Sequence, residues 1–374
     1  MVVHEVASRR DRNSFIKLPW KIYQHDKNWV PPLIAERKEF LDPRRNPFFE
    51  HAAVKLFLAH DEAGNLLGRI AAIVNFNHIQ THKEDVGFFG LFEAVNDQAT
   101  ANALFDAASG FLRSHGMKIM RGPENMSVND DLGLLIEGFE APPMIMMPHN
   151  PRYYEALVEG YGFKKVMDLF AYHGAPSPTL MPQRVVQGAE LLQQKYKYTV
   201  RTVRMDDFDA EIERIHAVYS SAWEDNWGAV AMTGREFAHL ARNLKPVVDP
   251  DLCLIAEVNG EVAGFSLALP DYNQVLIRLN GRLLPFGIFK FLYYRCRIDA
   301  IRIITMGVIK KFRRMGIDNR FYCETYKQAL AKGIRHGEMS WILENNVSMN
   351  RILENLGFTV YKKYRLYDFP LHSS

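Results

Sequence analysis

The chain has 374 residues, 48% hydrophobic and 24% charged, the profile of a soluble globular protein too long for one ordinary core, so two domains are expected. A net charge of +3 excludes a molecule-wide polyanion or nucleic-acid binder and confines any anion site to a local patch. Three cysteines, Cys253, Cys296 and Cys323, are odd in number and widely spaced, which excludes a disulfide framework and a zinc pattern and fits a reducing cytoplasm. The opening "MVVHEVASRRDRNSF" lacks the apolar core of a signal peptide.

In the first half, "VKLFLAHDEAGNLLGRIAAIV" (54–74) predicts a loose hairpin, "VGFFGLFE" (86–93) a strand and "ATANALFDAASGFLRSHG" (99–116) a helix. His78 and His82 stand four residues apart near Glu84 and Asp85, but no third ligand follows from the spacing. Exposed histidines and no metal are expected. The loop "RGPENMSVNDDLG" (121–133) reads as ordinary turns or as the lining of a second ligand pocket. "NPRYYEALVEGYGF" (150–163) predicts a helix closed by Gly-Phe. The prolines of "GAPSPTLMPQ" (174–183) mark a seam, followed by a linking helix in "RVVQGAELLQQKYK".

The second half repeats that outline. "YTVRTV" (198–203) alternates as a strand, and a helix capped by Asp206 or Asp207 runs to about Ala222, with Ile212, Ile215 and Val218 on one face. "LCLIAEVNGEVAGFSLAL" (252–269) is a hairpin around Asn259-Gly260, because Asn-Gly supplies the two positive-φ residues of a type I′ turn. The apolar segment 276–298 is broken by Arg278, Arg282, Lys290 and Arg295. It cannot span a bilayer, which needs about 20 mostly apolar residues, and a helical cover on the sheet is expected rather than a membrane foot. "IRIITMGV" (301–308) is a strand, followed by a basic turn with a lone Gly316 and a helix to about Lys332. "EMSWIL" (338–343) is a strand, "SMNRILENLGF" (348–358) a helix stopped by Gly357, and "VYKKYRLYDF" (360–369) one or two last strands. "NVSMNRILENLGF" mirrors the Gly-Phe helix of the first half, so the chain reads as a tandem duplication of one α/β unit.

A strand leading through a glycine turn into a helix gathers unpaired N–H groups and the positive dipole end at one point, which suits a phosphate. Lys310, Lys311, Arg313 and Arg314 add positive charge beside it. At these residues the sequence resembles the GNAT N-acyltransferase superfamily, whose signature is Gln/Arg-x-x-Gly-x-Gly/Ala. Arg313-Arg314-Met315-Gly316-Ile317-Asp318 matches at Arg313 and Gly316, and Asn346 through Gly357-Phe358 matches the second motif. The resemblance covers residues 198–369 and extends to 1–173 as a weaker echo.

It implies a fold of tandem GNAT-like α/β domains, each a mixed, mainly antiparallel sheet flanked by helices. The expected division is a degenerate domain at 1–175, a linker at 176–197 and an acyltransferase domain at 198–374. It implies that Val308, Arg313, Arg314, Met315, Gly316, Ile317, Asp318 and Asn346 bind acetyl-CoA or another acyl-CoA. An amine then attacks the thioester directly, with strand-edge N–H groups receiving the oxyanion. Glu344 is the candidate base, or a surface carboxylate capping the next helix. Trp223, Glu224, Asp225 and Trp227, in "SAWEDNWG", form a candidate acceptor wall, or pack as plain aromatics and surface charges.

Two residues depart from the pattern. Asp318 stands where the family has Gly or Ala and either caps the helix or competes with pyrophosphate. Leu353 stands where many members have a proton-donating tyrosine; a thiolate of pKa near 8.5 is a tolerable leaving group, so water suffices. The expected activity is acylation of an amine with an acetyl or other short acyl group, in the cytoplasm, without metal, nucleic acid or membrane contact. The alternatives are a non-catalytic acyl-CoA sensor or scaffold and a longer-chain transferase using a carrier protein.

Overall fold

A computed structural model describes residues 1–176, 181–222 and 226–371. The strands in chain order are β1 (Val2–Glu5), β2 (Ala52–His60), β3 (Leu66–Asn75), β4 (Val86–Ala94), β5 (Ile119–Gly122), β6 (Leu134–Glu137) and β7 (Lys164–Gly174), then β8 (Tyr198–Thr202), β9 (Cys253–Val258), β10 (Glu261–Pro270), β11 (Ala300–Val308), β12 (His336–Leu343) and β13 (Thr359–Pro370). The chain forms two compact units. The first contains Met1–Leu169, Val275–Leu292 and the C-terminal segment from Lys362; the second contains Phe170–Gln274 and Tyr293–Tyr361.

In the first unit the strands run β1-β2-β3-β4-β5-β13, with β6 also on β13. All pairs are antiparallel except β4 with β5. Strand β4 is buried at every position, which is why it reads as a continuous apolar run rather than an alternation. The helix Gln98–Ser114 starts where the Asp97 carboxylate accepts from the Thr100 N–H at 2.8 Å. Its Ala101, Leu104, Phe105, Ala108 and Leu112 recur at helical spacing and pack with Phe89, Phe92 and Phe163. Burying one such phenylalanine contributes roughly 1.5–3 kcal/mol.

In the second unit the order is β7-β12-β11-β10-β9-β8, and β11 runs parallel to β12. The β9–β10 hairpin turns at Asn259 (φ 51°) and Gly260 (φ 80°), as the Asn-Gly pair requires. The helix Phe208–Ala222 buries Ile212 and Val218 as its periodicity predicts, but it also buries Glu211. That carboxylate takes two hydrogen bonds from Arg201, at 2.8 and 3.0 Å.

Both units contain a parallel pair that separates after a few rungs. In the first, β4 and β5 pair only over Val86–Phe88 and Ile119–Arg121. The chain then folds back into the gap: the Glu124 N–H donates to the Phe89 carbonyl at 2.8 Å, and the Leu91 N–H donates to Asn125 Oδ1 at 2.6 Å. A Cβ on Gly90 would lie 1.9 Å from the Glu124 carbonyl oxygen, so only glycine permits this approach. The start of the polar loop 121–133 therefore occupies the gap between the strands through Glu124 and Asn125, while its tip is made of turns, the Asp130 N–H donating to the Ser127 carbonyl at 3.0 Å.

Three further expectations change. The units differ from the expected domains 1–175 and 198–374, because Tyr367–Pro370 of β13 pair with Gly122–Ile119 of β5 and the Arg121 guanidinium grips Asp368 at 2.7 and 2.8 Å. The segment 276–298 does not cover a sheet: Leu284, Phe286, Phe289 and Leu292 are exposed.

His78, expected at the surface, is 3% exposed and packs its ring edge-on to Phe88 at 4.9 Å. Burial, with His82 and Arg121 nearby, lowers its pKa to about 3. Between pH 6.5 and about 3 the unfolded chain binds a proton there that the folded one does not, so the folded form loses stability as pH falls through that window. Thermal midpoints of the wild type and His78→Leu should therefore converge below pH 5 relative to pH 7.5. A constant difference between them would contradict a neutral buried imidazole.

Candidate active site

Beyond Ile303 and Met339 the ladder between β11 and β12 ends, while β11 keeps pairing with β10 as far as Val308. The two strands diverge and leave a wedge of about 450 Å³. Its walls are mixed: Ile304, Met306, Val308, Trp341, Leu343 and Met349 are apolar, while Arg313, Arg314, Asp318, Tyr322, Ser340 and Asn346 bring charge and hydrogen-bonding groups. One edge of β11 thus presents backbone groups to open space, in contrast to the filled gap of the first unit.

At the mouth of the wedge β11 passes through the basic turn into the helix Ile317–Ala331. Arg314 (φ 74°) and Gly316 (φ 76°) take left-handed conformations that reverse the chain. No side chain caps this helix, and the N–H groups of Gly316, Ile317, Asp318 and Asn319 have no acceptor among the described residues. Four donors at a positive dipole end, with the exposed Arg314 beside them, make a corner whose chemistry suits an anion.

The expected cofactor residues divide into two groups. Val308, Arg313, Arg314, Ile317, Asp318 and Asn346 line the wedge. Arg313 also organises the corner, since Nε donates to the Val308 carbonyl at 3.3 Å and Nη2 to the Ala222 carbonyl at 3.2 Å. Met315 and Gly316 do not line it. Met315 packs under the turn with Tyr198, Phe312 and Phe321, and a Cβ on Gly316 would meet Leu192 Cδ1 at 2.5 Å. Glycine is needed at 316 for its positive φ and for the linking helix Gln183–Tyr196, not to admit a ligand.

The capping role expected for Asp318 is not realised. Gly316 is the N-cap, and Asp318 is an exposed first-turn residue beside the free amides. Asn346 instead caps the next helix, its side chain accepting from the Met349 N–H at 3.2 Å. Glu344 follows β12 directly and lies outside the residues that line the wedge, although the adjacent Leu343 is among them. Trp223, Glu224 and Asp225 lie outside the described residues. Trp227 is half-buried and does not line the wedge; its neighbour Asn226 does.

Leu353 is wholly buried against Tyr172 and Phe358, so it is a core residue with no access to a reacting group. The site holds a different tyrosine that the sequence reading missed. Tyr322 lines the wedge, and its hydroxyl donates to Met349 Sδ at 3.2 Å. Burial, then the Asp318 carboxylate, push its pKa upward, so it stays a donor at neutral pH. Its signal was the spacing from Asp318, four residues earlier on one helix face.

At the closed end of the wedge sits a second missed group. Arg302 and Glu338 are cross-strand partners in the β11–β12 ladder, both 1% exposed. Arg302 Nε lies 3.4 Å from Glu338 Oε1 and donates to Ser340 Oγ at 2.8 Å. The Ser340 and Tyr361 hydroxyls both donate to the Glu338 carboxylate.

No family model matches the chain. A Caulobacter vibrioides protein named "Bacterial ceramide synthase" is 39% identical over 377 residues, covering 98% of this chain and 96% of that protein. Protein YghO of Escherichia coli is 35% identical over 374 residues, covering 98% and 95%. Among solved structures, a tandem GNAT protein from the clavulanic acid biosynthesis pathway aligns over 100% of this chain and 99% of its own at 11% identity, with a TM-score of 0.57. A GCN5-related N-acetyltransferase from Sphaerobacter thermophilus aligns over 100% and 96% at 12% identity, with a TM-score of 0.52. These structures establish the tandem GNAT fold.

Proposed function

Because this chain belongs to the family of the Caulobacter vibrioides bacterial ceramide synthase and has the tandem GNAT fold, we propose that it is an N-acyltransferase that moves a long acyl group from acyl-CoA to the amine of a long-chain amino alcohol. The observation that carries this reading is the open wedge of the second unit, with apolar strand residues along its walls and an uncapped helix N-terminus at its mouth. The reading departs from the short acyl group expected above because a ceramide is the amide of a fatty acid with such an amino alcohol. Ile304, Met306, Trp341 and Met349 offer apolar contacts for a chain of methylenes beside the polar residues of the wedge.

In this reading the amides of Gly316 to Asn319 and the Arg314 guanidinium take the pyrophosphate, Arg313 and Asn346 hold the corner in shape, and the thioester lies along β11. The amine nitrogen attacks the carbonyl carbon, the C–S bond breaks, and coenzyme A leaves as a thiolate that takes up a proton. Glu344 is the proposed acceptor of the ammonium proton. The Tyr322 hydroxyl is positioned to donate a hydrogen bond to the leaving sulfur, the role that Leu353 cannot fill. The acceptor wall falls to the loop carrying Trp223, Glu224, Asp225 and Trp227.

Thiol release from an acyl-CoA series, with and without a long-chain amino alcohol and with the amide product weighed by mass spectrometry, tests the proposal. Palmitoyl-CoA should exceed acetyl-CoA by at least about tenfold, with release dependent on the amine. Preference for acetyl-CoA with small polar amines would refute it.

Asp318 supplies a separate test. With no cap to lose, its carboxylate acts only as a negative charge beside the amides. Asp318→Asn should tighten coenzyme A on the order of fivefold at low salt and less at high salt, while lowering the thermal midpoint slightly as the helix dipole loses an anion worth about 0.3–1 kcal/mol. Arg314→Ala should weaken binding about tenfold, as expected for one charge-assisted contact. Weaker binding by Asp318→Asn would show that the carboxylate organises the turn after all.

A further inference from the structure

We propose that residues Arg278–Leu292 of the first unit form a docking surface for an anionic lipid bilayer. The proposal stands independently of the reaction assigned above. The base of this segment is fixed: Val275 and Leu279 are buried, Trp20 Nε1 donates to Asn280 Oδ1 at 2.8 Å, and the Ile34 N–H donates to the Gly281 carbonyl at 3.0 Å. Beyond it, Leu283, Ile288 and Phe291 are half-buried, and most of the other residues are exposed. Leu284, Phe286, Phe289 and Leu292 are 74%, 76%, 68% and 50% accessible.

Single exposed apolar residues are ordinary, but a contiguous group marks a contact surface. Four of the twelve exposed large hydrophobic residues among those described fall within residues 284–292. Charge identifies the occupant. From 275 to 292 the segment has three cations, Arg278, Arg282 and Lys290, and no aspartate or glutamate. All three cations are exposed.

A bilayer with anionic headgroups meets both features at once. The phosphates face the cations while the phenylalanine and leucine side chains enter the boundary of the acyl region. None of the described helices is long and apolar enough to cross a membrane, so the contact is with the surface. This differs from the helical cover, without membrane contact, that the sequence suggested. The difference arises because Leu284, Phe286, Phe289 and Leu292 keep half or more of their surface exposed.

The test is sedimentation of the full chain with vesicles of equal parts phosphatidylglycerol and phosphatidylcholine, and with phosphatidylcholine alone. The wild type should sediment with the mixed vesicles at low salt, be released by high salt, and bind phosphatidylcholine at least about tenfold less. Arg282→Glu combined with Lys290→Glu, and Phe286→Ser combined with Phe289→Ser and Leu292→Ser, should each lose about tenfold or more in binding with unchanged thermal midpoints. The salt and lipid dependence of the wild type reads out the proposal even if a variant misfolds. Wild type that stays in the supernatant, or equal binding to both vesicles, would overturn it. So would folded variants that sediment like wild type, or that differ from it only by splitting a dimer of the chain.

Discussion

Gly316→Val is expected to unfold the corner of the wedge and eliminate coenzyme A binding, with a loss of about 2–5 kcal/mol in stability. Two separable effects add. The left-handed conformation at φ 76° costs a residue with a Cβ roughly 1–2 kcal/mol. The new side chain must also displace Leu192, whose Cδ1 would lie 2.5 Å from the added Cβ, and overpacking of this kind typically costs about 1–3 kcal/mol. The effects can be told apart. Gly316→Ala made together with Leu192→Ala removes the collision and keeps the backbone strain, whereas Leu192→Ala alone leaves the turn intact. Urea midpoints for the set, with coenzyme A calorimetry on each folded variant, provide the measurement. A stable Gly316→Val protein with unchanged affinity would mean that this turn neither depends on the glycine nor forms the anion corner.

Arg302→Met should be among the most damaging single substitutions in the second unit, at about 3–5 kcal/mol. It leaves the Glu338 carboxylate, 1% exposed, without its countercharge. Arg302→Met with Glu338→Leu should recover much of that loss, because no charge is then stranded, although the Tyr361 and Ser340 hydroxyls that donate to Glu338 lose an acceptor at about 1–3 kcal/mol. The consequence reaches the site because this pair occupies the rung beside Ile303 and Met339, the last before the wedge opens. Variants that remain folded should show weaker coenzyme A binding as the strand ends lose their fixed divergence. A double-mutant cycle with no coupling between the two positions would refute the stranded-charge account.

Much of the local structure was legible in the residues. The Asn259-Gly260 turn, the strand–basic turn–helix at 301–332 and the Gly-Phe end of the last helix all rest on neighbours within a few positions. There the chain's own φ preferences and periodicity decide the outcome. These signals were enough to indicate the tandem fold and to place Val308, Arg313, Arg314 and Asp318 at one corner. Tertiary structure alone decided why one wedge is open and the other closed, since nothing in "RGPENMSVNDDLG" announces that Glu124 and Asn125 bind the backbone of β4. It likewise decided that the end of β13 pairs with β5, that Gly316 faces Leu192, and that Arg302 meets Glu338. Each of these depends on which distant segments come together. A strand's pattern states which face is apolar but not which edge will pair with it, and a charged residue inside an apolar strand reveals its partner only when the facing rung is known.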